Sequence, residues 1–231
     1  MIVAPNLNIL ALIPARGGSK RLPGKNLRSL GGRPLIVWTA AAALGIPEIV
    51  DVLVSTDDPT IRDVVVAAGA WTPWLRPEEL ATDNAMAIDV CLHALDWYEA
   101  EKGLVDGLML LQPTSPFRSS ETISRGITLF KKYGQRPVIG VSPARSHPYW
   151  CYTADDDTLT PFVSQPNGSQ RSQDLPPAFE LNGAFYLVSP RDLRQRHALI
   201  GEDSIPLIIK DPREALDIDT EWDWKLAEAA L

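Results

Sequence analysis

The sequence predicts an α/β fold, a mostly parallel sheet with helices on both faces. Three observations carry this. Short apolar runs without polar alternation recur along the chain, as strands buried on both faces require. Segments with helical spacing of apolar residues lie between them. The two kinds of segment alternate, which calls for crossover connections in one sheet.

The first strand is 8–14 (NILALIP), followed by a loop rich in glycine and basic residues over 16–32. Residues 34–44 (PLIVWTAAAAL) read as a buried helix, with Pro34 near its first position and Gly45 past its end. A second strand, 50–55 (VDVLVS), leads to a helix over 59–68 closed by Gly69. Residues 71–82 are irregular. The next helix is 84–99, with Ile88, Cys91, Leu92, Leu95 and Tyr98 on one stripe and Asp83 as its expected N-cap. Gly107–Leu111 is a third strand, stopped by Pro113. Ser119 or Ser120 caps a helix whose Ile123, Ile127 and Phe130 share a face, and 137–142 (PVIGVS) is a fourth strand. From 143 to 180 Pro, Ser, Asp and aromatics dominate and no helical period persists. This reads as an inserted arm of short strands and loops within one domain spanning 1–231. The α/β pattern resumes with 183–188 (GAFYLV), a segment 190–197, a strand near 205–209 and a final helix from Glu221. Thr220 and Asp223 have the spacing of a capping box at its start.

Composition bounds the function. At 45% apolar and 22% charged residues the chain is globular, and no run approaches the roughly 18 apolar residues of a membrane span. Cys91 and Cys151 show no CxxC spacing, which argues against a disulfide framework or thiolate metal site and makes the cytoplasm the expected compartment. No basic region precedes an apolar stretch at the amino end, so no signal peptide is expected. Net charge is −7, yet residues before Glu48 hold six cations and no carboxylate; the remainder holds 16 basic and 29 acidic residues. Overall acidity argues against nucleic-acid binding, and the local basic island suggests one small anionic ligand.

That island is Pro14-Ala15-Arg16-Gly17-Gly18-Ser19-Lys20-Arg21-Leu22-Pro23-Gly24-Lys25-Asn26. It follows the first strand, and open α/β sheets bind ligands beyond the carboxyl ends of their strands. Gly17 and Gly18 permit positive φ and close backbone approach, so successive N–H groups can form an anion nest. Arg16, Lys20 and Lys25 add charge for a polyphosphate. The pattern is neither a Walker A loop nor GxGxxG, and the competing reading is an ordinary solvated loop.

Asp217-Ile218-Asp219 precedes the last helix. In extended chain, residues i and i+2 point the same way, so both carboxylates can share one hard cation; Mg²⁺ accepts such a pair and completes its shell with water and phosphate oxygens. A helix-entry acidic pair is the equal alternative. Gln112, at the end of the third strand, suits a sugar or a base, or belongs to a turn that merely stops the strand. Asp57 and Asp58 are expected to cap a helix. His93 is expected on a polar helix face, His197 at the surface, and His147 in the irregular region near a site. The histidines lack metal-ligand spacing, and the serines lack a nucleophile-elbow context.

Ile13 through Lys20 with Pro23, Lys25 and Asn26 resembles the signature of bacterial acylneuraminate cytidylyltransferases, the CMP-sialic acid synthetases. Further segments match in order: Ser55-Thr56-Asp57, Arg76-Pro77 with Glu79-Leu80-Ala81, Asp83, Leu111 through Arg118, Asn182-Gly183-Ala184 and Asp217 through Thr220. The resemblance spans about residues 8–225. It implies a Rossmann-like, doubly wound fold and a homodimer whose 143–180 arm reaches the partner's active site. It also implies CTP-dependent activation of a nine-carbon 2-keto sugar acid with Mg²⁺. By this resemblance Arg16, Lys20 and Lys25 hold the triphosphate, on a loop that includes Ala15, Gly17, Gly18 and Ser19. Asn26 positions the nucleotide, Arg76 lies at the cytosine, Gln112 and Tyr186 contact the sugar acid, and Asp217 and Asp219 bind Mg²⁺. Arg171 of the arm is expected to pair with the sugar carboxylate. The chain departs from the family pattern at Ala87 (serine in many relatives), at Tyr149-Trp150 and at Ser172 (arginine in many relatives). Competing functions are a related nucleotidyltransferase for another keto-sugar acid or a sugar phosphate, a non-catalytic nucleotide-binding member, and a glycosyltransferase.

Overall fold

A computed structural model describes residues 7–164 and 171–231. In chain order the elements are β1 (Ile9–Pro14), β2 (Ser29–Leu30), β3 (Arg33–Pro34), α1 (Leu35–Ala43), β4 (Ile49–Ser55), α2 (Pro59–Ala67), α3 (Glu78–Ala81), α4 (Ala87–Glu101), β5 (Gly107–Leu110), α5 (Ser120–Lys132), β6 (Val138–Pro143), β7 (Tyr152–Asp155), β8 (Thr158–Pro161), β9 (Phe179–Val188), α6 (Pro190–Arg196), β10 (Ile205–Ile208) and α7 (Glu221–Ala229). Six strands form the main sheet in the order β10-β6-β9-β5-β1-β4. Five run in one direction, and β9 lies antiparallel between β5 and β6. The expected mostly parallel sheet is present. The reversed strand is the 183–188 segment, extended back to Phe179.

Both sheet faces are buried, which explains the continuous apolar runs. On one face Ile9, Ala11 and Ile13 of β1 pack with Ile36 and Ala40 of α1 and with Ile123, Ile127 and Phe130 of α5. On the other, Leu10 and Leu12 pack with Ile88, Cys91, Leu95 and Tyr98 of α4, the stripe read from the sequence. Fully burying one such side chain contributes about 1.5–3 kcal/mol.

A third cluster joins the two ends of the chain. Leu22, Leu30 and Leu35 from the amino end meet Leu216, Ile218, Trp224 and Ala227 from the carboxyl end, with Phe117 between them. Arg28 stacks 4.2 Å over the Trp224 ring and holds Glu221 through two bonds of 2.6 and 2.8 Å. The predicted capping box starts α7, with Thr220 and Asp223 bonded reciprocally.

Three local expectations fail. Helix α4 begins at Ala87 with Met86 as N-cap, so Asp83 caps nothing. His93 is not on a solvated face: the segment before α3 folds over it, and its ring meets Trp74 edge-on at 4.6 Å. Burial, with Arg76 nearby, lowers its pKa. Asp58 does cap α2, accepting from Thr60 N at 2.7 Å, but Asp57 serves the glycine loop instead. His197 is at the surface, in an ion pair with Asp89. The arm contains the exposed hairpin β7–β8; residues 165–170 of it lie outside the described residues. No helix is long and apolar enough to cross a membrane among the described residues.

Candidate active site

The site forms where β1, β4 and β5 end. Ala15 N donates to Ser55 O at 2.9 Å, extending the β1–β4 ladder by one bond. The chain then turns away, and Gly17 N donates to Asp57 Oδ1 at 2.9 Å. A Cβ on Gly17 would lie 3.0 Å from both Cβ and Oδ2 of Asp58, so the residue is held against the start of α2. Farther along, the buried Asn26 side chain donates to Arg16 O at 3.0 Å and fixes the width of the loop. None of these anchors uses a cationic side chain of the loop, and Arg16, Lys20 and Lys25 are left to line a cleft.

That cleft has a volume of about 570 Å³. Arg16, Ser19, Lys20, Lys25 and Asn26 line it from the loop, Gln112 and Thr114 from the end of β5, and Asp217 and Asp219 from the segment before α7. The basic motif and the acidic pair, some two hundred residues apart, therefore face one another. Lys25 links them twice: its Nζ donates to Ile218 O at 2.8 Å and to Asp219 Oδ1 at 3.1 Å.

Residues 217–219 are non-helical. Ile218 turns into the third apolar cluster and donates its N–H to Thr114 O at 2.8 Å, while both aspartates line the cleft. Burial raises the Asp217 pKa, and the charge of Asp219 adds to this, although Thr114 hydrogen-bonds to the carboxylate. Its Oδ1 is buried without a partner. Such an orphan fits a carboxylate shaped to meet a cation. No group of three or more His, Cys, Asp or Glu side chains is placed to hold a metal among the described residues, so water and substrate would have to complete a shell around this pair.

The sequence reading did not anticipate the acidic partners. Within the amino-end segment no carboxylate stands near the loop, but the fold supplies them. Asp83 accepts from Arg16 Nη1 at 2.6 Å and pairs with Lys20. Asp219 pairs with Arg21 at 2.8 Å as well as with Lys25. Lys20 and Arg16 hold the Asp83 carboxyl below its usual range.

Gln112 lies against Gly183, whose φ is +71°; a Cβ there would come within 2.6 Å of Gln112 Oε1. Behind it Arg118 is fully buried, donating to Ala184 O and, at 3.0 Å, to Gln112 O. Burial pushes its pKa down to about 9. This arginine staples β5 to β9 and fixes the backbone that presents Gln112.

Six expected site residues are not among those that line the cleft: Ala15, Gly17 and Gly18 of the loop itself, and Arg76, Tyr186 and Arg171. Arg76 is buried beneath the loop, with Nε on Ser55 Oγ at 2.9 Å and a further bond to Ser55 O; burial lowers its pKa to about 10. Tyr186 packs in the apolar cluster beside α4, although the charge of Asp217 reaches it and, after burial, helps raise its pKa. Arg171 is exposed on the arm, where its carbonyl accepts from Asp174 N.

Known proteins resemble the chain in sequence and in fold. A family model described as cytidylyltransferase matches residues 10–176. A CMP-N,N'-diacetyllegionaminic acid synthase of Legionella pneumophila is 40% identical over 97% of both chains. An N-acylneuraminate cytidylyltransferase of Escherichia coli is 34% identical over 95% of this chain, which spans about half (51%) of that longer protein. Among solved structures, a CMP:2-keto-3-deoxy-manno-octonic acid synthetase complexed with CTP superposes with a TM-score of 0.70. It covers 96% of this chain and 98% of its own, at 18% identity, a likeness of fold.

Proposed function

The chain belongs to the cytidylyltransferase family, and on that premise we propose that it activates a nine-carbon 2-keto sugar acid with CTP, giving the CMP-sugar and pyrophosphate. One observation carries the reading: the basic loop and the Asp217–Asp219 pair converge on one cleft. The relatives named for legionaminic and N-acylneuraminic acids support the sugar class.

In this reading the anomeric hydroxyl oxygen of the sugar acid bonds to the α-phosphorus of CTP. The α–β anhydride bond breaks, pyrophosphate leaves and the hydroxyl proton is released. The chemical difficulty is charge, because a triphosphate meets a carboxylate and the leaving oxygens gain more. Arg16, Lys20 and Lys25 would neutralise it where it develops, and each such group typically contributes about 2.7–4 kcal/mol. The N–H groups of Gly18 and Ser19 would cradle phosphate oxygens, that of Gly17 being held by Asp57, and Asn26 would keep the loop open to the nucleotide. Gln112 would orient the sugar, and in-line placement of the two substrates supplies much of the remaining acceleration. Asp217 and Asp219 would hold Mg²⁺, which when bound supplies further charge stabilisation at the phosphates. Arg76, buried under the loop, would set the floor beside the base. Tyr186 would support the sugar subsite from behind.

A homodimer completes the assignment. Trp150, Tyr152, Leu159, Phe162 and Phe179 are exposed along the arm, an apolar surface suited to a second copy of the chain. Arg171 would then reach the partner's cleft and meet the sugar carboxylate. We place the enzyme in the cytoplasm, where CTP is made.

Pyrophosphate release tests the whole reading, assayed with Mg²⁺, each of the four nucleoside triphosphates and a panel of sialic, N,N'-diacetyllegionaminic, pseudaminic and eight-carbon keto acids plus hexose 1-phosphates. Release is expected only with CTP and a nine-carbon acid. CTP binding without turnover on any acid would identify a non-catalytic member, and release with a hexose phosphate would identify the rival nucleotidyltransferase.

A further inference from the structure

Asp83 has no place in the proposed reaction, yet its carboxylate sits among the cations that would receive phosphate. It pairs with Arg16 through Nη1 at 2.6 Å and with Lys20 through the other oxygen. Those two side chains are partly and largely exposed, so the pairs are open to exchange with ligand. The rest of the segment resists any purely structural account of Asp83: it caps no helix, and the turn after α3 is closed by Ala85 N on Thr82 O. Four cations, Arg16, Lys20, Arg21 and Lys25, thus face three carboxylates in one cleft.

We propose that Asp83 is a resident competitor for the pyrophosphate end of the nucleotide and sets which anions the cleft accepts. A ligand must bring enough negative charge to Arg16 and Lys20 to displace the carboxylate. A polyphosphate does this; a nucleoside monophosphate, whose single phosphate sits at the reacting position, does not reach the pair. The same contact speeds departure of pyrophosphate, because Asp83 re-forms its pairs as the product leaves. This rests on the phosphate-binding reading of the loop.

The test is Asp83→Asn, which keeps shape and removes charge from a partly exposed site. Inorganic pyrophosphate and CMP are titrated by calorimetry into the parent and the variant at low and high salt. Pyrophosphate should bind the variant about three- to tenfold more tightly, the scale of two partly exposed ion pairs, and the gain should shrink as salt screens it. CMP should bind both proteins equally. Unchanged or weaker pyrophosphate binding would overturn the competitor role and make Asp83 a support that orients the cations; an equal gain for CMP would overturn its place at the pyrophosphate end. Failure of the parent to bind pyrophosphate at all would overturn the loop reading itself.

Discussion

Asp217 exposes the conflict between folding and function most directly. Its carboxylate is buried, repelled by Asp219, and left with one oxygen unpartnered. Replacement by asparagine removes the charge while its carbonyl oxygen can still accept from Thr114. A buried, unsatisfied polar group costs about 1–3 kcal/mol, more when charged. Asp217→Asn leaves an unpartnered amide nitrogen in that position but relieves the buried charge and its repulsion from Asp219, and should stabilise the metal-free protein by about 1–3 kcal/mol. For a chain of this size each kcal/mol moves Tm by ~2–4 °C, so the expected rise is ~2–12 °C. Scanning calorimetry at pH 7 in EDTA reads it directly. Adding Mg²⁺ with CTP should then raise the Tm of the parent well beyond that of the variant, reversing or closing the gap, because only the parent keeps both carboxylates. A variant less stable than the parent in EDTA, or one that gains as much from Mg²⁺ and CTP, would refute the reasoning.

Three further outcomes are expected. Arg16→Ala should lower turnover by about 10²–10³-fold, the loss of one charge-stabilising group, with near-native circular dichroism and melting; steady-state pyrophosphate release checks it. His93 is held neutral by burial and by Arg76, so its folded pKa lies below the unfolded value of about 6.5. Its contribution to stability is then present above pH ~6.5 and lost as pH falls through that value, and urea titrations at pH 7 and 5 should show a smaller acid loss in His93→Phe than in the parent. Gly183→Ala puts a Cβ at positive φ against Gln112; it should cost roughly 1–2 kcal/mol in urea unfolding and raise KM for the sugar acid more than KM for CTP.

What was legible in the sequence follows a physical division. Strands buried on both faces and helices with one apolar stripe write themselves locally, so β1, β4, β5, β6, α4 and α5 fall close to where residue pattern puts them. The loop cations and the Asp217–Asp219 pair were also readable, because glycine beside charge, and carboxylates two apart, are local chemistry. Direction in the sheet is not local: nothing in GAFYLV says that β9 runs against its neighbours. Nor is the role of Asp83, which depends on a partner 67 positions away and looked like a helix cap only because it stands near the start of α4. His93 misleads for the same reason. Its place on the helix is polar by spacing, and only the chain from Trp71 to Arg76, folding back, leaves it half-buried against Trp74. The resemblance to the family assigns roles to Arg76 and Tyr186, but a motif fixes position in the chain and leaves open whether a side chain lines a cleft or supports it from below.

The order of strengths in the site explains how it can be both positioned and exchangeable. The exposed pairs of Asp83 and Arg21 are screened by solvent and too weak to hold two ends of a chain together. What holds them is apolar: Trp224 and Ile218 are fully buried against Leu30 and Leu35, and burial of each is worth more than any one of those ion pairs. Lys25, largely buried, adds a bond to a backbone carbonyl that does not depend on which anion occupies the cleft. Packing thus fixes where the cations stand and leaves only their partners to change. Carboxylates can occupy those partner positions in the empty site, and phosphate can replace them without moving the scaffold that bears the charge.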